Sequence, residues 1–199
     1  MRRATAAAAC LIGIVAFAGC GGGDETVTTS HPSEPTETLS SPAPATSSAP
    51  PAWEEHFSAS QLEQFRAALS RWQEYSAKAR QIYKQGKDTP GAEAVFRQYT
   101  AIAPGLIADL KRTYDTGGLR IVRPSKAISF KALSIGSNRV VIGQCTDYTD
   151  MVVTQNGHKV ADALPDHLQT TLRIEMEKPS GHDWTIFSIG GKDKSSCAE

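Results

Sequence analysis

Asp115-Thr116-Gly117-Gly118-Leu119-Arg120-Ile121-Val122 is the stretch on which the fold turns. On its N-terminal side apolar residues recur at helical spacing. On its C-terminal side they alternate, with a period of two. A glycine pair between the two regimes stops a helix and frees the chain to start a strand. Helices segregated ahead of strands imply an α+β fold rather than an alternating α/β one.

Working back from the glycines, Pro104 opens a short helix carrying Leu106, Ile107 and Leu110. Asp88-Thr89-Pro90 opens the helix before it, with Pro90 at the first helical position and Val95, Phe96 and Tyr99 on its buried side. Phe57 to Gln85 is predicted as one long helix with Leu62, Phe65, Leu69, Trp72, Ala79 and Tyr83 as its apolar stripe. Ser58 and Ser60 both suit its N-cap, and Gly86 ends it. Working forward, strands are predicted at 119–122, 128–135, 139–146, 151–154, 159–163, 167–177 and 184–189. Asn156-Gly157 marks a tight hairpin. Leu168, Leu172, Ile174, Met176, Trp184 and Phe187 are expected on the inner face of the sheet.

The 199 residues are 40% hydrophobic and 21% charged, with 21 basic and 21 acidic side chains. That balance argues against a generally basic nucleic-acid binder. Residues 1–19 read as a secretory signal: Met1-Arg2-Arg3, then an apolar run to Phe17, then small residues. The run is shorter than the roughly 20 residues a spanning helix needs. Phe17-Ala18-Gly19-Cys20 resembles the bacterial lipobox, with Phe17 where leucine is usual. The resemblance implies that Cys20 is acylated, palmitate included, and becomes the mature N-terminus. Stable anchoring takes more than one chain. The expected address is the extracytoplasmic face of the cell membrane.

Residues 20–52 form a tether. From Gly21 to Ala52 there are six prolines, six serines and six threonines, and only Val27 and Leu39 are large aliphatics. Such a composition does not bury enough apolar surface to offset chain entropy. The remainder, 53–199, holds every aromatic side chain except Phe17 and is long enough for one real core. Its two cysteines, Cys145 and Cys197, are an even count for an oxidising compartment, which predicts a disulfide between the last strand's tail and a central strand.

The order of parts resembles the nuclear transport factor 2-like (SnoaL-like) superfamily, and within it small lipoproteins of high-GC Gram-positive bacteria. The residues that carry this are Arg71-Trp72-Gln73-Glu74-Tyr75, Phe96-Arg97-Gln98-Tyr99-Thr100, Val140-Val141-Ile142-Gly143-Gln144-Cys145-Thr146-Asp147-Tyr148-Thr149, and Trp184-Thr185-Ile186 ahead of Cys197. The resemblance implies N-terminal helices packed on a curved, mostly antiparallel sheet, a cone-shaped, cystatin-like roll around a pocket. It implies no assigned activity for this branch.

Enzymes of the superfamily place an acid or base and a hydrogen-bond donor in the cone. Asp147 is the candidate base here, and Tyr148 or Tyr99 the candidate donor. Alternation puts Asp147 and Tyr148 on opposite faces, however, and Asp147 suits a turn that bonds backbone amides. No metal ligand set and no cofactor motif is expected. Seven basic residues between Lys111 and Arg139, against Asp115 alone, suggest a basic face for anionic lipid or polymer, or solvated edges. The expected function is a membrane-anchored, non-catalytic binding or accessory domain of the cell envelope. Its partners would be the membrane through Cys20, an envelope protein or a small apolar ligand, and no nucleic acid. The alternative is an isomerase-, dehydratase- or cyclase-like enzyme, or a carrier, acting on a small hydrophobic ligand in the cone.

Overall fold

A computed structural model describes residues 51–160, 164–193 and 197. The signal, the tether up to residue 50 and Ala161–Ala163 of one predicted strand lie outside them. The chain enters through a 3-10 turn, Ala52–His56, whose Trp53 ring meets Phe65 edge-on at 5.1 Å. Helix α1, Ala59–Gln85, follows. Ser58 is its N-cap in a reciprocal capping box with Gln61, which resolves the choice between Ser58 and Ser60. Gly86, at φ 59, closes it in the left-handed conformation. The buried stripe of α1 is Phe65, Ala68, Trp72, Tyr75, Ser76, Ala79 and Tyr83. Phe65, Trp72, Ala79 and Tyr83 are buried as predicted; Leu62 and Leu69 are only half-buried, and Ala68, Tyr75 and Ser76 complete the stripe.

Helix α2, Pro90–Tyr99, starts as predicted, with Thr89 accepting from the Ala92 N–H. Helix α3, Ala103–Asp109, does not run on to the glycines as an α-helix. Leu110–Thr116 is π-helical, and the Gly117 N–H reaches the Arg112 carbonyl five residues back. The segment buries both Leu110 and Tyr114, and Arg120 donates to the Tyr114 carbonyl at 2.5 Å. Wide turns leave no composition signal, so the sequence reading treats this stretch as ordinary helix.

The strands are β1 Leu119–Arg123, β2 Lys126–Ile135, β3 Arg139–Asp147, β4 Val152–Gln155, β5 His158–Lys159, β6 Gln169–Glu177 and β7 Thr185–Asp193. The expected single sheet is two sheets, ordered β1-β4-β5 and β2-β3-β6-β7, with every strand pair antiparallel. Register shifts interrupt β2 twice and the β6–β7 ladder twice. Such bulges bend a strand and raise its twist. The Asn156-Gly157 turn has φ values of 51 and 86, both positive, as a tight hairpin requires. Its tip folds back on the glycine pair that begins the sheet. The Asn156 N–H donates to the Gly118 carbonyl at 3.1 Å, and Gln155 Nε2 to the Gly117 carbonyl at 3.0 Å.

One buried cluster joins the helices to the sheets. Val140 and Ile142 of β3, Leu172, Ile174 and Met176 of β6, and Ile186 of β7 enter it beside Trp72, Tyr75 and Phe96. Two expected inward residues do not. Leu168 is 44% exposed because β6 starts after it, at Gln169. Phe187 is 47% exposed because alternation from buried Trp184 and Ile186 turns it outward; it is also the unpaired residue of a β7 bulge.

Candidate functional site

Three polar clusters hold the candidate residues. The first is the end of β3. Asp147 Oδ1 accepts the Thr149 N–H at 2.8 Å, closing the turn that the sequence suggested. Hydrogen bonds from Thr149, with Lys126 nearby, hold its carboxyl below the usual range. Tyr148 points the other way and is buried, which raises its hydroxyl pKa against a hydrogen bond with Thr170. The two therefore do not meet. Asp147 is ionised and tied to its own loop, and Tyr148 belongs to the core.

The second cluster surrounds Tyr99, which lies at the last position of α2 and is 1% exposed. Its hydroxyl donates to Glu74 of α1 in a short hydrogen bond. The Arg71 guanidinium lies 3.9 Å over its ring centroid. Arg71 also donates to the Gln98 carbonyl at 3.2 Å and the Trp184 carbonyl at 3.4 Å, and meets Glu74 at 3.3 Å. Helical spacing of three residues places Arg71 and Glu74 side by side, so α1 holds both partners of the ring. Burial, then the Glu74 carboxylate, raises the Tyr99 pKa; the Tyr99 hydrogen bond, with Arg71, lowers that of Glu74. The acid is held ionised and the phenol held protonated, far from the matched values that proton transfer near neutrality needs. Arg71 and Glu74 were quoted in the sequence only as part of a resemblance. Their joint role depends on Tyr99, 25 residues beyond Glu74.

The third cluster is fully inside. Trp72 Nε1 donates to Gln144 Oε1 at 2.8 Å, and Gln144 Nε2 to Thr146 Oγ1 at 3.0 Å. Gln144 and Thr146 are 2% and 0% exposed, on the β3 face that looks at α1. The Ser76 and Thr100 hydroxyls are also buried, with no hydrogen-bond partner among the described residues. No group of three or more possible metal ligands occurs among the described residues.

Scans against protein-family models, curated proteins and solved structures found no match. The site must be read from its own geometry.

Cys145 and Cys197 stand at disulfide distance and are bonded, with Cα atoms 5.3 Å apart. Cys145 is on the β3 face opposite Gln144 and Thr146, so the bond fastens residue 197 to the side of the sheet away from the helices. Of the seven basic residues between Lys111 and Arg139, four are engaged: Arg112 with Asp109, Arg120 with two carbonyls, Lys126 with Asp150 and Arg139 with Glu175.

Proposed function

We propose that the chain is a lipid-anchored extracytoplasmic protein, held at the membrane through Cys20. Its α+β domain acts as a non-catalytic binding or accessory module of the envelope. In this reading the helices and the bulged sheet correspond to the cone of the nuclear transport factor 2-like superfamily. The observation that carries the non-catalytic part is that Asp147, Tyr148 and Tyr99 each serve a structural contact and none faces another candidate. The Cys145–Cys197 bond supports the address, since such bonds persist in oxidising compartments.

The anchor is tested by expressing the full chain and its Cys20→Ser variant with a clickable fatty acid. Label and membrane attachment are expected in the parent only. Equal attachment of both, or an unlabelled parent, ends the reading. The carrier alternative, in which the domain holds a small hydrophobic ligand, has its own test. Native mass spectrometry of the exported protein would favour it by showing a retained small molecule.

A further inference from the structure

The chain has two asparagines, Asn138 and Asn156, and only Asn156 is followed by glycine. An asparagine side chain reacts with its own backbone. The amide nitrogen of the next residue attacks Cγ, and the new carbon–nitrogen bond closes a succinimide ring as ammonia leaves. Water then opens the ring at either carbonyl, giving aspartate or isoaspartate. One water is consumed and one ammonia released, with no oxidant or reductant. The step needs a carboxamide free of hydrogen bonds, an attacking nitrogen with no bulk beside it, and a backbone free to turn.

Asn156 and Gly157 meet the first two requirements. Both are exposed, and the Asn156 side chain has no hydrogen-bond partner among the described residues. A Cβ added at Gly157 would meet nothing within 4 Å. The closed turn opposes the third, since it fixes both residues at positive φ. That turn is lightly held, however. β5 is an edge strand of two exposed residues, joined to β4 at Thr154↔Lys159 and Gln155↔His158. The Val160 N–H adds one bond to the Val153 carbonyl, at 3.1 Å. β4 itself is held separately by β1, so β5 peels away while the rest of the sheet stays paired. Asn138 is exposed too, but it precedes Arg139, which is paired in β3, and its carbonyl accepts from the Lys178 N–H at 2.8 Å.

We infer that Asn156 is a deamidation site, converted through a succinimide to aspartate and isoaspartate when β5 opens. Isoaspartate carries the main chain through the former side chain and lengthens it by one carbon. The tip then no longer matches the glycine pair it rests on, where the residue 156 N–H meets the Gly118 carbonyl and Gln155 meets that of Gly117.

The test uses the exported, disulfide-bonded chain, warmed in neutral buffer, digested with trypsin and mapped by mass spectrometry. The peptide ending at Lys159 is expected to gain about one mass unit at Asn156, with Asn138 unchanged. Isoaspartate, detected with an isoaspartyl methyltransferase, is expected beside aspartate. The reduced, urea-unfolded chain is expected to react about ten-fold faster, equivalent to about 1.4 kcal/mol for opening the hairpin. Gln155→Ala, which removes one contact of the tip, is expected to speed the folded protein about three-fold. In the purified isoaspartate form, hydrogen exchange is expected to quicken at the amides of residues 156 and 160 and to stay unchanged in β3. The inference is overturned if Asn156 stays intact in the folded chain while the unfolded chain reacts, or if Asn138 reacts equally. Aspartate without isoaspartate also overturns it, because direct hydrolysis forms no ring. Unaltered exchange at residues 156 and 160 overturns the unseating of the tip. None of these outcomes touches the Cys20 labelling result.

Discussion

Tyr99 shows how much a single residue can depend on its neighbours. Its hydroxyl, ring face and position each meet a different constraint: Glu74, Arg71 and the end of α2. Tyr99→Phe removes one hydrogen bond and keeps the ring, so a loss of about 1 kcal/mol is expected from denaturant titration. The same contact sets a pH dependence. Glu74 has its pKa lowered in the folded protein, so its contribution is present above the ordinary value of 4.5 and is lost as pH falls through the lower folded value. Melting temperatures of the parent and Glu74→Gln are expected to differ at pH 7 and to converge in acid below pH 4.5. Half of the Glu74 side chain is in solvent, so the difference is small. Gly118 is a second residue fixed by context. Its φ is +72, and an added Cβ would lie 2.0 Å from Asn156 Oδ1. Gly118→Ala is expected to cost about 1–3 kcal/mol in the same titration. The glycine pair was legible as a stop signal; that the hairpin tip rests on it was not, because Asn156 is 38 residues away.

At the scale of elements, α1 and α2 announce themselves. Ser58, Gly86, Thr89 and Pro90 act through backbone groups within a few residues of themselves, so their meaning survives without a tertiary structure. The π-helical turn and the bulges are different. They exist because Leu110 and Tyr114 both have to reach the core, and because β2 and β7 have to bend while keeping their ladders. Nothing local demands either. Ile189 illustrates the consequence: strict alternation from inward Ile186 sends it outward, and one extra residue in the ladder brings it back against the core opposite Ile174. The contact between α1 and β3 carries its own prediction. Trp72→Phe takes a donor from buried Gln144 and leaves a cavity where the second ring packed, and is expected to cost about 2–4 kcal/mol by thermal or denaturant unfolding.

For the molecule as a whole, the disulfide is the longest single connection along the chain that the sequence reading anticipated. It spans 52 residues and joins β3 to the C-terminal tail. In the chain-entropy account a loop of that length is worth about 4 kcal/mol. Cys145→Ser with Cys197→Ser is expected to lose about 2–4 kcal/mol, and reduction of the parent the same amount, read as a lowered denaturant midpoint with a steeper slope, because the freed unfolded chain exposes more surface. The bond lies on the outer side of the sheet and leaves the inner side to the helices.

By itself the sequence determined the class of fold, the end of α1 and the start of α2, the tight hairpin and the pairing of Cys145 with Cys197, because each rests on local backbone chemistry or on a count. Only the tertiary structure decided that the layers divide into two sheets, that Leu168 and Phe187 face solvent, and that Arg71, Glu74 and Tyr99 clamp one another. It alone also decided which basic residues pair with a carboxylate. The physical reason is the same each time: faces and charge pairs are set by strand register and by bulges, and one residue of slip reverses a side chain while leaving its sequence unchanged.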